Sequence, residues 1–301
     1  MKEFLKEVLE ELKTLLGSGY YLEIKETNKM SNKVYTGLFV CKTDETVGKV
    51  FYLEEDYVKY LKGSLNVKDI VVKLLEEIKR PDEMKTVAKT LLDYHLMKDK
   101  IGMILVNYEA NQEFLEKRAY IRFLDLAVCF YVKVEADGMN GIAHINREVM
   151  ELWKADEKCL LEQGMRNMYL EGDTKIIDME KYIFEKLKLP YPDIEGYERP
   201  KLYIFTNQKQ YYGASVLLNV EKLHEFATEQ DSDLLIYPSS IHEVVVTLKE
   251  DCNAGRLYPE DIQRINEDAV DREEQLSNSV YLYSRKEKKV SIYQQGMELS
   301  A

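Results

Sequence analysis

The chain has 301 residues, of which 45% are hydrophobic and 32% are charged. This composition supports sizeable folded cores and argues against long disordered segments. The formal net charge is −12, from 54 acidic and 42 basic residues, and because such a field repels phosphate backbones, we expect no nucleic-acid binding.

The sequence also indicates where the protein resides. Its first residues, 1–7, alternate charged and apolar side chains and lack the apolar core of a signal peptide. No stretch approaches the ~18 consecutive apolar residues of a membrane span, so no membrane association is expected. Four cysteines lie far apart in the sequence, at Cys41, Cys129, Cys159 and Cys252. Free thiols in a cytoplasmic protein are the simplest interpretation.

The first 95 residues predict one α+β unit. Apolar residues recur at helical spacing over 4–16, and Gly17 is expected to end this helix. Strands are predicted next at 20–25, 34–41 and 50–53. Their polar connections are typical of an antiparallel meander. Helices follow, and Asn66 is the predicted N-cap of the helix whose apolar stripe runs over 67–78.

A middle unit is predicted at 96–190. It begins with a strand at 101–106, and the continuous apolar run at 126–132 suits a strand buried on both faces. Two glycines predict a turn into a short strand at 142–145. Asn146 and Asp156 are the predicted N-caps of the two helices that follow.

The C-terminal unit, 198–301, predicts strands and helices in the order ββαββαβ. Strands are expected at 202–206, 214–218, 234–237, 243–248 and 280–283, and 290–293 is the candidate partner of the last of them. Helices are expected at 220–229 and from Pro259 to about Glu274. Because hairpins replace strict βαβ alternation, the pattern favours an α+β fold with mixed, largely antiparallel sheets and packed helices.

A proline-rich connector divides the chain. Residues 190–200 hold three of its six prolines, which prevent helix continuation and indicate a semi-extended segment. We therefore predict two or three subdomains, at 1–95, 96–190 and 198–301. The sequence leaves open whether the last two form one domain.

Four segments carry a family resemblance, and they lie at 121–127, 204–207, 212–214 and 238–244. With these segments the chain resembles an uncharacterised domain-of-unknown-function family that is widespread in gut Firmicutes. It is more distantly similar to an uncharacterised Bacillus family with the same Pro-Ser-Ser turn before a strand. The resemblance covers most of the chain and implies a bacterial cytoplasmic protein. It implies no activity and no site residues.

The segment 231–243 gathers the most polar chemistry in the chain. The candidates for catalysis are Asp233, Ser239, Ser240, His242 and Glu243. A hydroxyl nucleophile needs a base within hydrogen-bond reach and a third group that orients the base. Against this, the chain has no Gly-x-Ser-x-Gly turn here. Serines in a tight turn also commonly bond to free backbone groups.

Other site chemistries are less favoured by the sequence. The four histidines (His95, His144, His224 and His242) are never within five residues of one another, so no metal site is predicted. A site combining His224 with His242 and Glu243 requires a helix to pack against a strand. The glycine turns at 138–141 and 211–213 lead into predicted strands rather than helices, so no cofactor is predicted.

Two functional hypotheses follow. The first is a non-catalytic protein-interaction module that binds a protein partner through the acidic, Tyr-bearing surface of the C-terminal half. Residues 250–274 hold nine acidic residues against three arginines, and Tyr203, Tyr211 and Tyr212 surround one predicted hairpin. The alternative is a hydrolase-like enzyme with a site around residues 231–243, whose side chains would converge in a concave pocket.

Overall fold

A computed structural model describes residues 1–30, 33–44, 48–79, 90–136, 139–172, 174–190, 201–250, 263–264, 266–268 and 270–293. The chain forms two compact units, of which unit 1 is Met1–Asp93 with Glu135–Asn140, and unit 2 is Tyr94–Val134 with Gly141–Ala301. Both units combine helices with antiparallel sheet, so the predicted α+β fold is confirmed. No helix in the described ranges is long and apolar enough to cross a membrane.

Unit 1 begins with helix α1 (Lys2–Leu16), which ends where Gly17 takes a positive φ of 64°. Strands β1 (Tyr20–Lys29), β2 (Lys33–Lys42) and β3 (Lys49–Tyr52) then form an antiparallel sheet in that order. Helices α2 (Glu54–Leu61) and α3 (Val67–Lys79) follow. The predicted helix–meander–helix order is confirmed.

The core of unit 1 lies between α1, α3 and one face of the sheet. It comprises Phe4, Leu5, Val8, Leu12, Leu22, Leu38, Val40, Leu53, Val67, Ile70, Val71 and Leu74. At the start of α3, Asn66 Oδ1 accepts from the backbone N–H of Asp69 at 3.0 Å. The Asp69 carboxylate accepts in return from the Asn66 N–H at 3.1 Å. This reciprocal capping confirms the predicted N-cap.

Unit 2 contains a four-stranded sheet built around one long strand. Strand β6 (Leu126–Ala136) pairs with β4 (Ile101–Asn107), β5 (Tyr120–Phe123) and β7 (Met139–His144). Residues 126–132 are all buried, as the apolar run predicts. The unit also includes two short helices, α4 (Tyr94–Met97) and α5 (Gln112–Leu115).

Two helices follow the four-stranded sheet, and their N-caps are those predicted. Asn146 accepts from Val149 N–H at the start of α6 (Arg147–Leu152), and Asp156 accepts from Cys159 N–H at the start of α7 (Glu157–Glu171). Helix α7 packs on β4, where Gly164 lies so close to the strand that a Cβ there would meet Met103 Cγ at 2.8 Å.

The second sheet of unit 2 has six strands in the order β13-β12-β10-β11-β9-β8. These are β8 (Thr174–Asp178), β9 (Leu202–Asn207), β10 (Leu234–Tyr237), β11 (Val244–Leu248), β12 (Tyr281–Ser284) and β13 (Lys289–Ile292). Helices α8 (Met179–Lys186) and α9 (Val220–Glu229) belong to the same region. The predicted C-terminal strand pair is confirmed as the β12–β13 hairpin.

The strand predicted at 214–218 is wrong, because Gly213–Leu218 forms a 3-10 helix. Tyr212 takes a left-handed φ of 55° just before it. The helix packs against both β4 and β9, and all six of its residues are buried. A short apolar run that is buried on every side has the same sequence pattern as a buried strand.

Two further predictions fall largely outside the described residues. The connector at 190–200 does so except for Pro190. The helix expected from Pro259 to about Glu274 is described only in part, with helical residues at 263–264 and 266–268 and a turn at 272–274. The predicted subdomain boundaries stay predictions.

Candidate functional site

The candidate site lies at the end of the six-stranded sheet, where the loop after β9 meets the turn before β11. The loop, 208–212, is held by Asn207, whose side-chain amide donates to Tyr211 O at 2.8 Å and accepts from Tyr211 N–H at 3.2 Å. Asn207 is buried, so this bidentate clamp fixes Tyr211 by its backbone.

The loop lies very close to the turn that bears His242. A Cβ on Gly213 would be 2.1 Å from Thr206 Oγ1 and 2.5 Å from His242 O, so only glycine fits there without movement. The Thr206 hydroxyl donates to the same His242 carbonyl at 2.7 Å, and Ala214 N–H donates to Ile241 O. These contacts fix the position of His242 against the loop.

A second segment, 274–277, holds the turn from its other side. It pairs with 238–241 through three backbone hydrogen bonds of 2.8–3.0 Å, which join Ile241 to Glu274, Leu276 to Ser239 and Ser277 to Pro238. Ser240 and Gln275 form the bridge at the centre of this pairing. The pairing brings Glu274 beside His242.

Both ring nitrogens of His242 have partners. Nδ1 accepts from the backbone N–H of Tyr212 at 3.1 Å, and Nε2 lies 3.3 Å from Glu274 Oε1. Since a nitrogen that accepts from an N–H carries no proton, the ring proton of the neutral imidazole is on Nε2 and points to Glu274. The backbone loop and the carboxylate together fix the tautomer and the orientation of the ring.

Two tyrosines stack on this imidazole. The Tyr212 ring is nearly parallel to it, at 5.7 Å and 5°, and the Tyr211 ring lies 5.2 Å away. The Tyr211 hydroxyl donates to that of Tyr212 at 3.0 Å. Tyr212 is buried, whereas Tyr211 is 51% exposed. Burial, and next the hydrogen bond with Tyr211, raises the pKa of Tyr212 far above its usual range, so its hydroxyl stays neutral.

Two carboxyl groups lie near the imidazole of His242. The Glu274 side chain is 44% exposed, while the imidazole beside it is only 17% exposed. Burial raises the pKa of Glu243, and the charge of Glu274 raises it further, while His242 opposes the shift. The site therefore presents an exposed aromatic ring with acidic groups beside it.

The two candidate serines belong to the turn itself. Ser240 is buried, and its hydroxyl oxygen accepts from the backbone N–H of His242 at 3.0 Å. The backbone carbonyl of Ser239 accepts from Leu276 N–H. Of the contacts that His242 makes within the described residues, none joins its imidazole to a serine hydroxyl. The structure thus brings Ser240 to the backbone of His242 and not to its ring.

Asp233 lies at the opposite end of β10 from the turn. Its carboxylate accepts from Arg285 N–H at 2.9 Å and lies 3.9 Å from Lys249 Nζ. At about 3.3 Å per residue, the separation of six positions between Asp233 and Ser239 corresponds to roughly 20 Å. The structure therefore gathers His242 and Glu243 at one end of the strand and Asp233 at the other.

A cleft of ≈ 380 Å³, including the part open to solvent, borders the site. Its lining includes Asn207, Ser215, Tyr131, Asn167 and the ion pair of Lys133 with Glu171, which is 2.6 Å long. Asn167 donates to the carbonyls of Lys98 and Ile101. The Tyr131 ring lies 6.1 Å from that of Tyr212 and so joins the cleft to the stacked rings.

A half-buried carboxylate anchors the segment that carries Glu274. Asp125, in the turn between β5 and β6, accepts from the hydroxyls of Ser277 at 2.6 Å, Ser279 at 3.1 Å and Tyr281. Burial, with the charge and hydrogen bond of Asp125, raises the pKa of Tyr281 far above its usual range. This cluster ties the four-stranded sheet to the segment that leads out of the site.

The remaining histidines lie elsewhere. The His224 ring, on α9, contacts Tyr283 at 6.4 Å, and the His144 ring contacts Phe114 at 5.4 Å. Within the described ranges, no group of three or more His, Cys, Asp or Glu side chains has a metal-binding arrangement. His224 thus does not join His242 and Glu243.

The sequence indicated part of this site and missed the rest. His242 and Glu243 lie in the segment singled out for its polar residues. Tyr211 and Tyr212 were grouped with a predicted hairpin, yet the 3-10 helix places them on His242. Glu274 was counted only as one of the acidic residues of 250–274, and Asp125 carried no local signal, because their partners are distant in sequence. The lone Gly213 before an apolar run was the available sign of a close backbone approach.

The chain was compared with known proteins. A family of unknown function, DUF5688, matches residues 1–285. Because the match covers nearly the whole sequence, the chain belongs to this family. A search of the curated proteins and a search of the solved structures each found no match.

Proposed function

We propose that the protein is a non-catalytic protein-interaction module that binds an arginine- or lysine-bearing segment of a partner protein at the Tyr211 surface. We define this surface as Tyr211 with the rings of Tyr212 and His242 behind it and the carboxyl groups of Glu243 and Glu274 beside it. The observation that carries the proposal is the half-exposed Tyr211 ring on a rigid, buried support.

The support makes Tyr211 suitable as an anchor. An exposed side chain that must be ordered on binding loses rotamer freedom, which weakens association. Tyr211 is already held by the Asn207 clamp on its backbone and by the Tyr212 hydroxyl at its tip. Aromatic residues that are rigid before binding are the usual centres of binding energy in protein interfaces.

Charge selects the kind of partner. A cation over a tyrosine ring gains about 0.5–1 kcal/mol at an exposed site, and a neighbouring carboxylate adds electrostatic attraction. Glu274 is half-exposed beside the rings. The chain as a whole carries a net charge of −12, which attracts basic partners over longer distances.

The arrangement of the candidate catalytic residues His242 and Ser240 favours a binding function over hydrolysis. Nucleophilic catalysis requires a base with a free lone pair beside the nucleophile. The Nδ1 lone pair of His242 is occupied by the Tyr212 N–H, and Ser240 bonds to backbone. The geometry therefore supplies recognition groups at this surface without a nucleophile–base pair.

The test is fluorescence anisotropy with the full chain and a labelled arginine-rich peptide, compared with the same peptide in which citrulline replaces arginine. Tyr211→Ala should weaken binding by about tenfold or more. Glu274→Gln should weaken it less and reduce its salt dependence, because one attractive charge is lost.

The matched control is Tyr169→Ala, which removes another exposed tyrosine of unit 2, 41% exposed on α7. Its affinity should equal that of the wild type. Equal affinities for the arginine and citrulline peptides, or equal losses in the two tyrosine variants, would contradict the proposal.

One observation favours the alternative, a hydrolase-like enzyme with a site around residues 231–243. The imidazole of His242 lies beside the Glu274 carboxylate, next to Glu243 with its raised pKa, and such groups serve as acids and bases. Turnover of a chromogenic ester that His242→Ala abolishes, and Tyr169→Ala does not, would support this alternative. Ester turnover that survives His242→Ala would exclude it.

The proposal also covers the cellular location and the source of the protein. The family resemblance supports a bacterial cytoplasmic protein from a member of the Firmicutes. Fractionation of a native host with an antibody against the chain tests this, and recovery in the membrane or culture fluid would contradict it.

A further inference from the structure

A second surface of unit 2 has the opposite charge character. Arg118, Tyr120 and Arg122 alternate along the extended chain that becomes strand β5. Side chains two residues apart in an extended segment point to the same side, about 6.6 Å apart along the strand. The basic surface, as we define it, consists of these three residues with Arg147 and Tyr108.

Arg147 is brought to this surface by the backbone. Its N–H donates to Lys117 O at 3.1 Å, and its Nε donates to Arg118 O at 3.4 Å. Arg118 and Asn146 also form a β-bridge. Tyr120 lies on the strand between Arg118, whose carbonyl Arg147 contacts, and Arg122, and its ring lies 6.1 Å from that of Tyr108.

Two of the three guanidinium groups of this surface rest on aromatic rings. Arg122 Cζ lies 3.5 Å from the centre of the Tyr108 ring, and Arg118 Cζ lies 4.3 Å from that of Phe114. Stacking holds a guanidinium in place while its N–H groups stay available to a planar or tetrahedral anion. The donors are therefore ordered before any ligand arrives.

The arginines lack acidic partners. Among the described residues, none of Arg118, Arg122 and Arg147 forms an ion pair with a carboxylate. Arg118 is partly buried, and its Nε is enclosed without a hydrogen-bond partner. A charge withdrawn from water without an opposite charge is costly, and an anion at this surface would remove that cost.

Two carboxylates that lie close in sequence to Arg122 and Arg147 are committed elsewhere. Asp125 is three residues from Arg122 in sequence, but it accepts from Ser277, Ser279 and Tyr281. Arg122 donates instead to Leu124 O at 3.3 Å. Glu148, next to Arg147, lies 3.5 Å from the amide of Asn146. The local structure thus leaves three positive charges together on a strongly acidic protein.

We propose that the basic surface is a binding site for a phosphate group, held by the guanidinium groups of Arg122 and Arg147. Arg118, whose carbonyl accepts from Arg147 Nε, supplies a third positive charge. Two or three cations match the charge of a phosphate dianion better than that of a single carboxylate, and arginine forks bind phosphate oxygens in pairs. This site is separate from the Tyr211 surface.

The experiment is isothermal titration of the full chain with inorganic phosphate, against acetate at equal ionic strength. Saturable phosphate binding with one site per chain is expected, with a Kd of order 1 mM. Arg122→Gln and Arg147→Gln, both exposed and outside the core, should each weaken it by about tenfold. Arg166→Gln, an exposed arginine on α7, is the matched control and should bind as the wild type does.

Phosphoserine serves as a second ligand that distinguishes the source of the group. Equal affinity for phosphoserine and inorganic phosphate identifies the phosphate group alone as the ligand, and tighter binding of phosphoserine identifies an organic monoester. Binding of acetate as tight as that of phosphate would overturn the proposal. So would an Arg166→Gln loss as large as that of Arg122→Gln, or no saturable binding of either phosphate ligand.

Discussion

Replacement of Asp125 by alanine removes the acceptor that three hydroxyl groups share. The Tyr281 side chain is fully buried and Ser277 is 3% exposed, so neither hydroxyl reaches water after the replacement. Ser279 is half-buried and can turn to solvent. Because each buried donor without an acceptor costs about 1–3 kcal/mol, we expect the free energy of unfolding to fall by about 3 kcal/mol.

The assay is urea unfolding followed by tryptophan fluorescence. Trp153 is the single tryptophan and lies buried in unit 2, 5.6 Å from the Tyr94 ring, so its signal reports the unit that contains Asp125. With a urea dependence of about 2 kcal/mol per molar, a loss of about 3 kcal/mol lowers the midpoint by about 1.5 M.

A double-mutant cycle with Tyr281→Phe isolates the tyrosine's share. Phenylalanine removes the donor, so replacing Asp125 in the Tyr281→Phe background should cost about 1–2 kcal/mol less than in the wild type. Asp268→Ala, at an exposed position, is the control. A midpoint for Asp125→Ala equal to that of the control, or a cycle without coupling, would refute the reasoning.

Three further predictions concern the site and the thiols. Gly213→Ala should lower the free energy of unfolding of unit 2 by about 2–4 kcal/mol, because the new methyl group collides with Thr206 and the His242 carbonyl. Trp153 fluorescence measures this loss. The control Gly141→Ala, where the nearest atom to the new methyl group is 3.5 Å away, should change the stability little. Glu243→Gln should stabilise the fold near neutral pH. Burial raises the pKa of the Glu243 carboxyl in the folded state, so the wild type loses stability as the pH rises through that pKa and the carboxyl ionises. Urea midpoints measured across pH should show this gain vanishing in acid, and a gain independent of pH would contradict it. In a Cys252→Ser background, a thiol reagent should modify Cys159 alone, because Cys41 and Cys129 are buried. Burial also raises the pKa of the Cys129 thiol to about 12. Rapid reaction of a second native thiol would refute this prediction.

The features that the sequence predicted correctly depend on neighbours along the chain. The apolar stripe of α1 and the N-caps Asn66, Asn146 and Asp156 all involve residues three or four positions apart. Such patterns are visible in the sequence because the spacing of the residues determines which of them interact. The hairpin of β12 and β13 was predictable for the same reason.

The features that were missed depend on contacts that the spacing does not encode. Asp125 and Ser277 bond to each other across 152 positions, and His242 contacts Tyr212 across 30. Strand β8 was not predicted, because Thr174–Asp178 is short and directly follows a helix. The conformation of the 3-10 helix is determined by its packing between two sheets, and the local apolar pattern alone could not predict it.

The strand order of the six-stranded sheet has a consequence for synthesis of the protein. Strand β10, whose four residues are all buried, lies between β11, which follows within seven residues, and β12, which begins 44 residues after β10 ends. During synthesis on the ribosome, one edge of the apolar strand β10 has no partner strand until Tyr281–Ser284 emerge. Unpaired strand edges of this kind pair with other chains and lead to aggregation. Nascent or truncated chains that end before β12 should therefore require a chaperone to stay soluble.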